Sequence, residues 1–401
     1  MKLKKWIGKG HLYLGLASGL IVFVLSVTGC VLAFEQEIKN LTQPYRFTET
    51  PAHAELLPPS VLRQKAEQAL PGKAADGVLY GVPGRSAEVG FYNFDPEYYY
   101  VVYLNPYTGE VLHVWNENDD FFHFILHGHY YLWLPEKIGQ PIAATGTAIF
   151  LVLLVSGLVL WWPKNKSAAK QRFSIKWDAA WRRKNYDLHN VLGFYILTIG
   201  MVFAITGLVW GFEWFSNSLY WATGGKGSPA YVIPPSDTTA IQTAATPMQI
   251  VDRSWRNLMQ KHPDQQGINI SFPEGNATSI FSYVNFRNGT YYKVDYHYYD
   301  QHTGKEIQHT GPYSGNYADA NLANTLRRMN YDLHVGAIWG LPGKMLMFFA
   351  SLICATLPIT GTLIWWGRRK KAQHPHTMAT PKERSKNVRR PVVVRSKVVR
   401  E

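Results

Sequence analysis

The chain has 401 residues, 46% of them hydrophobic and 14% aromatic, and its 41 Lys/Arg against 28 Asp/Glu give a net charge of +13. A basic surplus can mark a nucleic-acid partner, but no aromatics interleave with the basic runs here, which argues against one. The only cysteines, Cys30 and Cys354, lie in apolar runs, which excludes a disulfide framework or a cysteine metal cluster.

Four uncharged runs of 21 to 23 residues punctuate the chain: Leu12–Phe34, Ile142–Trp162, Val191–Phe212 and Met345–Trp366. A bilayer core about 30 Å thick takes about 20 apolar residues in a helix, so each run is predicted to span a membrane. Residues 1–34 hold a lysine-bearing N-terminus and the first span. Its Val27-Thr28-Gly29-Cys30 resembles a lipoprotein cleavage site, yet apolar sequence continues to Phe34. Thr28-Gly29 also recurs in the other spans as Ser156-Gly157, Thr206-Gly207 and Thr360-Gly361, so the first span is expected to be retained.

An outer segment, 35–126, follows. It carries a predicted helix over Val61–Leu70 and a hairpin turn at Asn105-Pro-Tyr-Thr108-Gly109-Glu110. There the glycine supplies a positive φ and the asparagine bonds its own backbone. Residues 127–162 hold the approach to the second span and the span itself, 163–188 a basic loop, and 189–212 the third span. A second outer segment, 213–333, repeats the first, with a helix over Met248–Gln260 and a turn at Asp300-Gln-His-Thr303-Gly304-Lys305. Residues 334–366 hold the approach and the fourth span, and 367–401 a basic tail predicted to be disordered. Clustered tyrosines in the outer segments (Tyr98–Tyr100, Tyr291–Tyr292, Tyr298–Tyr299) are expected to pack across strands.

Charge sets the orientation. Segments 1–9, 163–188 and 367–401 together hold 24 of the Lys/Arg and only 4 of the acids, which by the positive-inside rule places both termini in the cytoplasm. The basic tail is expected to touch anionic lipid headgroups. The predicted fold is therefore an integral membrane, mainly α protein: a four-helix transmembrane bundle from a duplicated two-helix unit, with α+β lobes outside.

The duplication reaches single residues. Gly15, Gly29 and Glu35 follow His11 at the spacings by which Gly193, Gly207 and Glu213 follow His189. Pro135 and Lys137 follow His127 as Pro342 and Lys344 follow His334. Odd spans run outward in both halves, so the repeat is parallel, about an axis along the membrane normal. His11 and His189 then share a depth near the inner face, and His127 and His334 one near the outer face. Imidazole is an axial ligand of haem iron, and a bundle core is where such a cofactor sits. Gly15 and Gly193, one turn from the inner histidines, remove bulk where a porphyrin would approach. The expectation is two bis-histidine b haems, on His11/His189 and His127/His334.

Two plainer readings compete. Histidine is tolerated at membrane interfaces without any ligand. His123 and His127, four apart and with His129 nearby, could instead bind zinc or copper, although no carboxylate or cysteine stands beside them. Counted from His334, Asn330 and Gly336 occupy the places of His123 and His129. Only His127 keeps a histidine counterpart, which makes it the expected ligand and His123 the runner-up. His53, His262, His297, His302 and His309, in polar outer segments, read as surface groups; His374 and His376 lie in the tail.

Irons near the two faces would stand on the order of 20 Å apart across a core of about 30 Å, which suits electron relay. Iron with two histidine ligands has no open position, favouring electron transfer over oxygen chemistry. No Gly-rich dinucleotide fingerprint follows a strand, so the donor is expected to be quinol or a separate cytoplasmic reductase.

These residues resemble a known family. His11-Leu-Tyr-Leu-Gly15, Leu126-His127, Ser156-Gly-Leu-Val-Leu-Trp-Trp162-Pro163, Asp187-Leu-His189-Asn-Val-Leu-Gly193 and Asp332-Leu-His334 before Trp339-Gly-Leu-Pro-Gly343 look like the PepSY-associated transmembrane proteins. Asn105-Pro-Tyr-Thr-Gly-Glu110 is similar to a turn of the PepSY module. The resemblance implies a bacterial inner-membrane protein, often iron-regulated, with PepSY-like periplasmic lobes. It also implies a ferric-siderophore reductase in which the two haems pass electrons outward to a ferric siderophore or other ferric chelate. Gln301 and His302, where proline and tyrosine stand in the first turn, depart from the module's pattern. Two other functions compete. One is a non-enzymatic membrane anchor whose lobes bind a periplasmic partner or protease. The other is a transporter, which would want charged or broken-helix residues at mid-membrane, where only Pro358 interrupts a span.

Overall fold

The computed structural model describes residues 2–373 apart from 53, 164, 167, 168, 170 and 240–244. His53 and most of the basic tail, with His374 and His376, lie outside the described residues. The first half runs α1 (Lys2–Leu32), α2 (Glu35–Thr42), α3 (Pro59–Ala69), β1 (Gly77–Tyr80), β2 (Ala87–Phe94), β3 (Glu97–Leu104), β4 (Val111–Asn116), α4 (Phe121–Tyr131) and α5 (Glu136–Trp161). The second runs α6 (Trp181–Tyr195), α7 (Leu197–Gly211), α8 (Glu213–Ala222), α9 (Pro247–Lys261), β5 (Gly267–Ser271), β6 (Ile280–Asn285), β7 (Val294–Tyr299), α10 (Leu322–Val335) and α11 (Gly340–Gln373).

Helices α1, α5 and α11 are long and apolar enough to cross a membrane, and α6 with α7 adds a fourth span if this pair, bent by 63°, crosses as one. The third run is thus not a straight helix over Val191–Phe212. It begins at Trp181 and breaks at Ile196. Lipid tails are as apolar as leucine, so helices in a membrane associate through close packing of small residues. Accordingly Ser18, Ala204, Ala350 and Cys354 are buried between helices, and Gly200 lies against Leu154.

The two outer segments do not form separate lobes. All strands join one antiparallel sheet in the order β4-β3-β2-β1-β5-β6-β7, and the seam between the halves is the β1–β5 pair, with Gly77 opposite Ser271 and Tyr80 opposite Ile268. Helices α3 and α9 cover one face. Leu62 and Ala66 from α3, Ile250 and Leu258 from α9, and Val78, Val89, Ile268 and Ile270 from the strands make one shared core. The Asp252 carboxylate fastens the helices together by accepting from Ser60 N (2.9 Å) and Ser60 Oγ (2.6 Å). The tyrosines pack largely as expected: Tyr98, Tyr100 and Tyr299 pack against the shared core, Tyr298 is buried against Phe281 and His309, and Tyr291 is half exposed on Tyr331.

Both turns form, with Gly109 and Gly304 at φ +72° and +71°. The first connects two full strands; the second returns as a single bridge between Tyr299 and Glu306. Asp300 organises the second turn, accepting from Thr303 N (2.7 Å), Thr303 Oγ1 (2.8 Å), His302 N (3.0 Å) and Asp237 N (2.7 Å). Burial pushes its carboxyl up, but these hydrogen bonds outweigh burial and hold it below the usual carboxylate range. A depressed carboxyl stabilises the fold above its unfolded pKa and loses that contribution as pH falls through the folded one. Asp300→Ala is therefore expected to cost about 2–3 kcal/mol at pH 7. In denaturant melts of the detergent-solubilised protein, the gap to wild type should narrow below pH 4.

A polar collar ties the lobe to the bundle. Lys39 on α2 is buried against Glu35 (2.8 Å), Glu117 and Asp120. Asp120 also caps α4, accepting from Phe122 N at 3.2 Å. Lys344 on α11 meets Glu37 of α2 at 2.8 Å. The collar fixes how α4 enters the bundle.

Candidate functional site: two facing histidine pairs

Four histidines meet as two pairs inside the bundle. The rings of His11 on α1 and His189 on α6 stand 6.5 Å apart between centroids with their planes at 85°. Those of His129 on α4 and His334 on α10 stand 6.2 Å apart at 70°. Each pair takes one histidine from each half of the chain, as the repeat requires.

The ring opposite His334 is His129, not His127. The Pro-Lys landmarks that aligned His127 with His334 are not equivalent: Pro135 is the residue before α5, whereas Pro342 lies inside the first turn of α11. The connectors also differ. After His129 the chain turns through Leu132 and Trp133, both at φ 56°, and reaches α5 at Glu136; after His334 it turns at Gly336 and reaches α11 at Gly340. Gly128 precedes His129 because the Trp133 indole sits 2.2 Å from where a Cβ would be. His127 packs on Tyr131 with ring centroids 5.0 Å apart, and His123 meets Tyr99 of β3 edge-on at 6.1 Å.

The recurrent Ser/Thr-Gly pairs explain how the rings are held. The Nδ1 of His11 lies 2.9 Å from Ser156 Oγ, and that of His189 2.9 Å from Thr360 Oγ1. The Nδ1 of His129 lies 2.9 Å from Thr28 Oγ1, and that of His334 2.7 Å from Thr206 Oγ1. Within each half, one span's hydroxyl holds the histidine of the other.

Donor counting assigns the tautomer. A hydroxyl has one hydrogen, and these four give it to a helix carbonyl: Ser156 to Leu153 O, Thr28 to Val24 O, Thr206 to Val202 O and Thr360 to Thr356 O. With those hydrogens given to the carbonyls, the hydroxyl oxygens accept from Nδ1–H. In a neutral imidazole that leaves the lone pair on Nε2. In that tautomer each ring has Nδ1 anchored and the lone pair on Nε2, an arrangement also found behind metal-bound histidines generally.

The adjoining glycines lie alongside the rings, and the fit is tightest at Gly361. A Cβ at Gly157 would stand 3.4 Å from His11 Cε1, one at Gly361 3.3 Å from His189 Cε1, and one at Gly29 3.5 Å from His129 Cε1. Asn185 and Asn330, each four residues before a histidine, add a second brace in the second half. Their amides donate to Thr360 O (3.0 Å) and Thr206 O (3.1 Å). Sequence reasoning missed these residues and the hydroxyls' role. The recurrence of Ser/Thr-Gly in every span was the signal.

A cavity of about 380 Å³ opens beside His11 and His189, lined by Gly8, Gly15, Gly157, Gly193, Gly361 and Arg368 among others. Gly15 and Gly193 therefore stand on the cavity wall, where a Cβ would meet only single leucine methyls at 3.8–3.9 Å. An ion bound coaxially by two imidazoles, with bonds of roughly 2.0–2.1 Å as for zinc, sets the ring centroids about 6.4 Å apart. Both pairs match that separation.

Histidines expected at the surface also moved. His297 and His302 are buried, with 3% and 8% exposure, because residues 300–319 fold back over β7.

No curated protein matches the chain. The family described as PepSY-associated TM region matches residues 9–368, which takes in both histidine pairs, all four Ser/Thr-Gly pairs and the sheet. The protein is a multi-pass membrane protein belonging to the PepSY-associated TM region family.

Proposed function

We propose that the protein is a di-haem electron carrier of a bacterial inner membrane, reducing a ferric chelate such as a ferric siderophore in iron uptake. The observation that carries this reading is the set of four histidines in two facing pairs, each with Nδ1 satisfied and Nε2 left to ligate. When bound, the haems supply one-electron transfer. His11 with His189 would hold one and His129 with His334 the other. The Ser/Thr hydroxyls fix the ring planes, and the glycines keep both ring and cavity clear of side chains. The charge asymmetry supports cytoplasmic termini, which puts the sheet in the periplasm and the His129/His334 pair on the sheet's side. Electrons would enter from quinol or a cytoplasmic reductase at His11/His189.

The acceptor would sit over the sheet. A cavity of about 330 Å³ crosses the β1–β5 seam, lined by Asp76, Glu88, Tyr99, Asn269 and Ser271. Burial raises the Asp76 carboxyl to about 6 and also pushes Glu88 up. Carboxylate, phenol and amide oxygens are the hard donors that suit a ferric complex. Tyr99 also touches His123 of α4, the helix that carries His129.

The test is the absorption spectrum of detergent-purified protein from haem-replete cells. A Soret band with sharp α/β bands on reduction, at two haems per chain, is expected. Colourless protein would sink the reading and favour a membrane-anchored binding module. Glu88→Gln should slow reduction of a ferric chelate by dithionite-reduced protein while leaving the spectrum unchanged.

A further inference from the structure

A second cluster of ligating atoms lies in the lobe, away from the bundle. His262 is the residue that ends α9, and Asp295 and His297 are alternate residues of β7, so their side chains share one face of the strand. The ligating atoms of these three residues lie within 4.8 Å of one another. The Nε2 atoms of both His262 and His297 are shut off from solvent and have no hydrogen-bond partner among the described residues, although His262 as a residue is only half buried. Native structures seldom leave buried polar atoms unpaired, and two adjacent ones call for a common partner.

One tautomer is favoured. His297 Nδ1 lies 2.7 Å from Glu306 Oε1, and an ionised carboxylate only accepts, so Nδ1 donates, and in the neutral ring Nε2 bears the lone pair. A carboxylate behind a ligating imidazole is a recurrent outer support of metal sites. Asp295, at 4% exposure, spends one lone pair on Tyr317 N (2.7 Å) and keeps the others. Phe286 against His262 and Tyr299 stacked on His297 supply apolar walls. Glu306 is partly exposed, so a solvent path runs close to the site.

We propose that His262, Asp295 and His297 bind a divalent first-row transition ion of the zinc class, with Glu306 supporting His297 and a coordination position left open. Two imidazoles and one carboxylate suit zinc and its neighbours and not the hard ions magnesium or calcium. A dication would satisfy both unpaired nitrogens and offset the Asp295 and Glu306 charges together.

The probe is Zn²⁺, added to tag-free, chelator-stripped full-length protein in detergent, with bound metal counted after gel filtration. Wild type should retain one equivalent more than His262→Ala and more than His297→Ala. Co²⁺ should give visible d–d bands that both variants lose. Glu306→Gln should weaken Zn²⁺ binding 10–100-fold without changing the stoichiometry. His262 is the half-buried end of a helix, so His262→Gln serves as a second variant that keeps the fold, checked by its circular dichroism. Equal Zn²⁺ retention by wild type and by a folded His262 variant would overturn the proposal, as would an absence of d–d bands. His309→Ala, outside the cluster, should bind as wild type does.

Discussion

His129→Ala is expected to take the purified protein from two haems per chain to one, whereas His127→Ala should keep both. The size of the effect follows from the geometry. The His129 ring stands 6.2 Å from His334, is fixed by Thr28 and is flanked by Gly29, so no other side chain can take its place without a shift of the helix. His127 sits two residues earlier on α4. Residues two apart on a helix point about 200° apart around its axis, so the His127 ring faces away from the pair and rests on Tyr131. His334→Ala should behave as His129→Ala does, and His11→Ala or His189→Ala should remove the other haem. Haem extracted into alkaline pyridine and counted against protein decides the matter. Loss of a haem in His127→Ala with both retained in His129→Ala would falsify the pairing.

How far the chain could be read beforehand depended on the range of each signal. Span length and charge are local and cumulative, so the existence of the membrane helices was legible, although α1, α5 and α11 extend beyond the uncharged runs, and the helices over 61–70 and 248–260 were legible to within two residues. The bend at Ile196 was not. Apolar residues continue on both sides of it with no proline, and only packing around Gly200 and Leu154 could specify it. The single sheet was hidden for a different reason. Its β1–β5 seam pairs Gly77 with Ser271 across nearly half of the chain, and no turn announces a pairing that distant. The candidate site fell in between. The repeat named three of the four histidines that face each other in pairs, and pointed two residues away from the fourth because it leaned on Pro135 and Pro342. Close backbone approaches give the better register. Gly139 lies against Tyr131 O and Gly343 against Gly336 O, at almost the same distance along the chain from His129 and His334. The Ser/Thr-Gly pairs were visible as a pattern, but only the fold shows that each faces a histidine of its own half.

Thr360→Val should weaken haem retention at the His11/His189 pair by about 10–100-fold while leaving the other haem in place. Valine keeps the shape of threonine and loses only the hydroxyl, so the cavity and the contact of Gly361 with His189 are preserved. What disappears is the Thr360 acceptor for His189 Nδ1–H, leaving the ring only the Leu357 carbonyl. A buried donor left poorly paired costs about 1–3 kcal/mol, and each 1.4 kcal/mol is about tenfold in affinity. The ring is also freed to rotate or to exchange tautomers, which would put a proton on the nitrogen meant to ligate. Electronically, a hydrogen-bonded imidazole is the more basic ligand and favours the oxidised metal. The variant's midpoint potential should therefore move upward. Thr206→Val should do the same at His334, on the other haem. Thr356→Val is the control, because its hydroxyl bonds the Ile353 carbonyl and serves no histidine. Haem transfer to excess apomyoglobin gives the retention, and a redox titration resolved by α-band position gives the potential. If Thr360→Val changes neither haem affinity nor midpoint potential relative to Thr356→Val, the hydroxyl only packs, and the tautomer assignment at His189 falls with it.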